Sequence, residues 1–313
     1  MMTRFLRHET ILAVLAVIVL GILAYQSDRF FTVDNLLNQG RLMTEVGLVA
    51  ILMTFVIATG GIDLSVGSII GLTAILTGVF WQSVGLPLPL AALAAIACGT
   101  FGGFANGLII TRFGVPPLIA TLATLALYRG LAEGISQARS VRGYPEWFYV
   151  LGQGNVLGVP TQLWLLVLTA IVAAIVLGLT RWGRTVYAIG NNEVAARFSG
   201  LPVDRAKLAI YTASGFAAAV AGVILVSRVS TTRSDMGTGL ELDAITAVVL
   251  GGTSIFGGRG TIAGTVLGLI LIQALKNGLS LAGVKGDGTI VLIGVVLIVT
   301  ILISNIVHRN GNR

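Results

Sequence analysis

The side chains able to carry out covalent, metal or proton chemistry are few in this 313-residue chain: 13 acidic residues, two histidines and one cysteine. His8 and His308 stand at opposite ends of the sequence, so no Ser-His pair, zinc site or histidine-dependent acyl transfer can be assembled within the membrane. Cys98 lies in an apolar run without a partner for a disulfide or a metal cluster. Between Gly252 and Arg259 the glycine spacing of a phosphate loop occurs, but Gly258 occupies the position that needs lysine. Asp63 is the only acidic residue between Glu45 and Glu133, and nothing like a relay of intramembrane carboxylates is visible. The expectation is therefore a chain with no catalytic residue, no metal and no bound cofactor of its own.

Composition explains the shortage. Hydrophobic residues make up 55% and charged residues 11%, with 41 glycines, against about 25% charged residues in soluble domains. The mean hydropathy is +0.94. A soluble enzyme, a secreted disulfide scaffold and a disordered chain are excluded. The formal net charge of +7 comes from basic residues dispersed between apolar runs, which fits the charge rule of membranes and not nucleic acid.

About 20 apolar residues cross a bilayer core. Reading between charges gives ten candidate spans: Ile11 to Tyr25, Val46 to Ala58, Ser65 to Val84, Pro89 to Thr111, Val115 to Tyr128, Leu163 to Thr180, Leu208 to Ser227, Ala244 to Phe256, Thr261 to Leu275 and Thr289 to Val307. The first has no small-x-small cleavage site after it and reads as a retained span. Those starting at Val46, Val115, Ala244 and Thr261 are short, so some are expected to be broken or re-entrant. The fold class is an all-α, polytopic transmembrane bundle forming a single domain over residues 1–313.

The dense basic segment 181–207 sets the orientation, placing itself and both termini in the cytoplasm and segment 129–162 outside. The external segment carries Tyr144-Pro145-Glu146-Trp147-Phe148, an aromatic cluster suited to a helix at the membrane surface. Three glycine stripes, Gly67/Gly71, Gly99/Gly103/Gly107 and Gly260/Gly264/Gly268, predict close helix contacts. Gly60-Gly61 and Gly251-Gly252 each end an apolar run and precede such a stripe, an echo of the internal repeats of transporters.

Two segments stand out. From Gly190 through Asn191, Glu193, Ala195 and Ala196 to Gly200 the sequence reads as a short helix, capped by Asn191, favoured by Glu193 at its positive end and closed by Gly200. Its Val194 and Phe198 form an apolar face, fit for a partner or for lipid. Near Gly60-Gly61, Asp63 is placed to cap the span that begins at Ser65, close to the inner edge of the membrane.

The first segment resembles the E-A-A-x-x-x-G coupling loop of ATP-binding-cassette importer permeases, matched at Glu193, Ala195, Ala196 and Gly200 with Val194 inserted. Gly60 to Ser68 is similar to the signature of ribose-type sugar permeases in that superfamily, as are Asn106-Gly107-Leu108-Ile109, Val115 to Leu125 and Val248 to Gly258. Arg233 to Gly237 is similar to the rhamnose and autoinducer subgroup. The resemblance implies a permease subunit of a bacterial inner-membrane importer for a ribose-like pentose, rhamnose or similar polyol. It implies a periplasmic binding protein, a cytoplasmic ATPase that holds ATP and Mg, and a second permease copy or paralogue. Asp63, Ser65, Asn106, Thr121 and Thr124 are the candidate residues of the solute path. Two other readings remain at this point. One is a branched-chain amino acid or nucleoside permease, and the other a proton-coupled secondary transporter using Asp63.

Overall fold

The structure, a computed structural model, describes residues 28–137 and 139–284, with isolated positions on either side. The first and last expected spans therefore lie outside the described residues apart from single positions.

Among the described residues the fold is helical, with one two-residue β-hairpin. The order is α1 (Val33–Ala58), α2 (Val66–Gln82), α3 (Leu88–Arg112), α4 (Pro117–Ser136), α5 (Glu146–Gln153), β1 (Asn155–Val156), β2 (Val159–Pro160), α6 (Thr161–Leu179), α7 (Arg181–Asn191), α8 (Glu193–Phe198), α9 (Val203–Val229), α10 (Leu240–Leu250) and α11 (Ile262–Leu281). Six of these, α1, α3, α4, α6, α9 and α11, are long and apolar enough to cross a membrane, while α2 is a shorter apolar helix. Three of the four runs expected to be short belong to full-length helices. Only the run at Ala244 is a true half-helix, the 11 residues of α10.

α1 and α9 form the centre, and α4 and α6 the periphery. The outer faces of α3, α4 and α6 present Phe101, Leu122 and Leu168, a surface that lipid covers. The stripe Gly99/Gly103/Gly107 lies against α9. A Cβ on Gly103 would come within 2.7 Å of the Gly215 Cα, and one on Gly99 within 2.6 Å of the Ala219 Cβ. As numbers rise along α3 they fall along α9, so the pair is antiparallel. Gly264 and Gly268 of α11 likewise press on the backbone of α10 at Gly251 and Ala247.

Gly67 and Gly71 meet the side chains of Glu241 and Arg129 but no helix backbone. Their open side receives the non-helical segment that leaves α9. Thr232 bonds to Val141, which packs on Gly78 of α2. The carbonyls of Ser234 and Met236 lie against Gly71, and that of Gly237 against Gly67. The chain thus descends alongside α2 by about 16 Å, at about 1.5 Å per helical residue from Gly78 to Gly67. α10 then continues for about another 16 Å, and together they amount to one crossing of a core about 30 Å thick.

α1 descends to Ala58, and at that end sit α7, α8 and the turn at Gly257 and Gly258. At the opposite end Arg41 and Gln162 join α1 to the β1/β2 hairpin and α6. Segments 181–207 and 139–162 accordingly occupy opposite ends of the bundle. The expected external loop is shorter than read, because residues 129–136 are still in α4. Its aromatic cluster also turns inward: Tyr144 stacks on Trp81 with ring centres 4.7 Å apart, and Phe148 is buried.

Candidate functional site

Asp63 is fully buried in the break between α1 and α2. Its Oδ1 accepts from the Ser65 amide at 3.1 Å and the Ser65 hydroxyl at 2.7 Å, and its Oδ2 accepts from the Ser214 hydroxyl of α9 at 2.9 Å. The first of these closes an Asx turn that leads into α2. Asn106 of α3 donates to Ser65 Oγ at 2.7 Å, and the Tyr128 hydroxyl of α4 lies 3.2 Å from Asn106 Oδ1 and 2.9 Å from the Gly102 carbonyl. Thr121 donates to the Ile62 carbonyl at 3.1 Å. Asp63, Ser65, Asn106 and Thr121 are therefore brought together, whereas Thr124 bonds back to the Thr121 carbonyl of its own helix. Each of the five side chains is buried. The cluster is a sealed knot that ties α2, α3, α4 and α9 to one turn.

Sequence reasoning missed several polar groups inside the bundle. Glu45, taken as flanking a span, lies midway along α1 and pairs with Arg228 of α9 at 2.7 Å. Lys276 of α11 pairs with Asp243 of α10. Arg129 of α4 donates through Nη1 to the carbonyls of Ser234 and Met236, the latter at 3.0 Å, and through Nη2 to that of Gly67 at 3.3 Å. The charged residues of these ion pairs were visible in the sequence, but the partner of each lies in another helix. Among the described residues no group of three His, Cys, Asp or Glu side chains comes together to hold a metal.

At the other candidate site the helix boundaries differ from expectation. Asn191 is the last residue of α7, and its Nδ2 bonds back to the Tyr187 carbonyl at 2.8 Å. Asn192 is the cap: its backbone is extended and its Oδ1 accepts from the Ala195 amide at 2.9 Å. Gly200 closes the turn at φ +77°, a conformation that glycine adopts at no steric cost. Ala196 packs into a small cluster with Ile189, Val203 and Ala206. Glu193 pairs with Lys207 of α9 and, at 3.5 Å, with Arg197. Arg197 is held above its ordinary range first by its hydrogen bonds to Asp204. Glu193 thus touches a spanning helix.

Gly190 links this end to both helix breaks. It touches the carbonyl of Ala58, and a Cβ at Gly257 would lie 2.9 Å from the Gly190 carbonyl and from the Gly60 amide. The Gly258 amide donates to the Ala58 carbonyl at 2.9 Å. The Tyr187 hydroxyl donates to the Gly260 carbonyl at 2.7 Å, and burial raises its pKa. The end of α1 at Ala58 and Gly60 thus meets the Gly257-Gly258 turn that follows the second double-glycine motif, with α7 packed on both.

A cavity of about 390 Å³ lies between α1, α6 and α9, lined by Phe55, Val172, Val176, Trp182 and Ile210 among others. Its lining is apolar and it opens at the lipid-facing side of α6, so it suits an acyl chain and not a polar solute.

Long apolar helices, interrupted by breaks and tied by buried ion pairs, define a multi-pass membrane protein. Residues 35–301 match the family described as "Branched-chain amino acid transport system / permease component", and the chain belongs to that family. It is similar to the ribose import permease protein RbsC of Escherichia coli K12, 38% identical over 309 residues, covering 96% of this chain and 94% of that protein. With RbsC of Bacillus subtilis 168 it is 42% identical over 272 residues, covering 86% and 84%. With the autoinducer 2 import system permease protein LsrD of Escherichia coli O9:H4 it is 38% identical over 313 residues, covering 97% and 94%. No solved structure matches the chain.

Proposed function

We propose that this chain is the transmembrane permease subunit of an ATP-driven importer for a neutral sugar or polyol, such as a ribose-like pentose or rhamnose. The observation that carries the reading is α8. It is capped at both ends, held to α9 by Glu193 and Lys207, and leaves Val194 and Phe198 63% and 89% exposed at the end of the bundle. A short, rigid helix with an open apolar face is the form a docking element takes. The relatives' names, import permeases for ribose and autoinducer 2, support the direction and the solute class.

In this reading a cytoplasmic ATPase carrying ATP and Mg docks on segment 181–207. A periplasmic binding protein delivers the sugar at the end that holds segment 139–162, and a second permease copy or paralogue completes the transporter in the bacterial inner membrane. Both chain termini are cytoplasmic. Gly190 passes displacement of α7 and α8 directly to Ala58, Gly257 and Gly258, so ATPase movement reaches the ends of α1 and of the turn after α10 without an intervening side chain. Nucleotide and loaded binding protein need only bias two conformations from opposite ends.

The test is Phe198→Asp. It alters a side chain that packs on nothing in the chain, so the permease should reach normal levels while co-purified ATPase and nucleotide-driven uptake fall at least tenfold. A normal complex would return α8 to the lipid surface. Glu193→Lys is the poorer probe because it also breaks the bond to α9. Orientation is read with a thiol at Ser199→Cys or Ser140→Cys in a Cys98→Ser background, Ser136 being buried. An impermeant reagent added to spheroplasts should label only the Ser140 variant.

A further inference from the structure

The sealed knot at Asp63 leaves a polar solute no surface to touch, which directs attention to the non-helical segment that follows α9. The descent from Thr231 to Gly239 reaches the middle of the bundle. Gly99, near the midpoint of the 25 residues of α3, packs on Ile69 and Thr73 of α2. Gly71 lies between those two, and the Ser234 and Met236 carbonyls lie against Gly71. Yet Arg233, Asp235 and Thr238 are exposed at this depth, with the Arg233 and Asp235 side chains 60% and 59% open. Non-helical backbone and open polar side chains at mid-membrane are excluded from contact with lipid.

We propose that Arg233 to Gly239 lines a water-filled path at mid-span, along which a neutral, polyhydroxylated solute passes. The surface has the chemistry for it. Arg233 and Asp235 neutralise each other, and Arg129 is taken up from behind by three backbone carbonyls. What faces outward is a threonine hydroxyl, peptide groups and a closed ion pair, a set of donors and acceptors with no net charge. Gly237 and Gly239 hold φ near +80° and +85°, and Gly237 presses on the Gly67 carbonyl, so the segment is held tightly against α2. Under the descent Glu241 Oε2 is buried without a hydrogen-bond partner, a cost that any movement admitting water would relieve.

The solute class rests on the permease reading above, but the wetness of the segment does not. In a Cys98→Ser background, Thr238→Cys and, as the lipid-facing control on α4, Leu122→Cys are reconstituted with the ATPase in proteoliposomes. They are then treated with a charged, water-soluble thiosulfonate. The Thr238 variant should react at least tenfold faster than the control, and its rate should change at least threefold between nucleotide-free and vanadate-trapped complexes. Equal rates for the two variants would overturn the proposal. So would ready oxidation between two permease copies without reaction with the reagent, which would make the segment a dry contact. Unchanged reactivity on trapping a complex shown to be loaded would make it a static pocket and not a path. If no ATPase assembles with the permease, the importer reading fails while the tenfold labelling contrast still stands or falls by itself.

Discussion

The helix break at Gly60 to Ser65 and the one at Thr231 to Gly239 solve the same problem in opposite ways. At Gly60 to Ser65 the chain turns and its carboxylate is answered from within: Asp63 takes three hydrogen bonds and Asn106, Tyr128 and Thr121 close around it. At Thr231 to Gly239 the carbonyls are answered from one side by Arg129, and the other side stays open. A break in a membrane helix is therefore not in itself a site. What separates scaffold from path is whether polar groups remain exposed after the backbone has been satisfied.

The strongest way to break the comparison is to remove the support behind the open segment. Arg129→Met deletes hydrogen bonds to three carbonyls at mid-span. At roughly 1.5 to 3 kcal/mol for a bond to a charged group, and allowing for non-additivity, the loss is about 4 kcal/mol. Permease levels should fall at least tenfold, and Arg129→Lys should recover only part, since an ammonium lacks the planar fork that reaches in two directions. Levels near normal for the Met variant would mean that the descent is held by its glycines against α2 alone.

Next in size is the sealed knot. Asp63→Ala abandons the Ser65 amide and the hydroxyls of Ser65 and Ser214, a loss of about 2 to 3 kcal/mol. Asp63→Asn keeps an oxygen for both Ser65 donors, and the Ser214 hydroxyl can rotate to accept from the new amide, so the cost should stay within about 1 kcal/mol. Thermal unfolding in detergent and uptake per assembled complex measure the two. If the Asn variant assembles normally but does not transport, the negative charge itself is required, and the knot belongs to the mechanism after all.

The sequence made one of these regions legible and hid the other for physical reasons. Span existence, the stripe from Gly99 to Gly107 and the motif at Asp63 follow from local pattern, because apolar runs and small residues at helical spacing act within one helix. The start of α1 did not: Asn35, Gln39 and Arg41 interrupt hydrophobicity, and so Glu45 was placed outside the span that contains it. Ser214 stands 151 positions from Asp63 and Arg228 stands 183 from Glu45, separations at which no local rule operates. The descent to Gly239 is polar and has no helical pattern, and only its position beside Gly67 and Gly71 reveals that it packs along α2. At the docking end the helix itself was legible and the neighbouring asparagines were not resolved, since Asn191 and Asn192 are equally good caps and the backbone alone decides between them.

The smallest expected effect on stability gives the sharpest contrast in transport. Thr238 is exposed and its hydroxyl donates only to the Asp235 carbonyl of its own turn at 2.7 Å. Thr238→Val preserves shape and should change stability by about 0.5 kcal/mol or less. It nevertheless takes from the proposed path its exposed threonine hydroxyl, so uptake per assembled complex should fall several-fold. Ser214→Ala is the mirror image. It removes a buried donor from Asp63 Oδ2 and should cost about 1 to 2 kcal/mol while leaving turnover of the surviving complex unchanged. Unfolding midpoint and uptake, normalised to the amount of assembled permease, place each variant on two independent axes. If Ser214→Ala slowed transport and Thr238→Val did not, the assignments of scaffold and path would have to be exchanged.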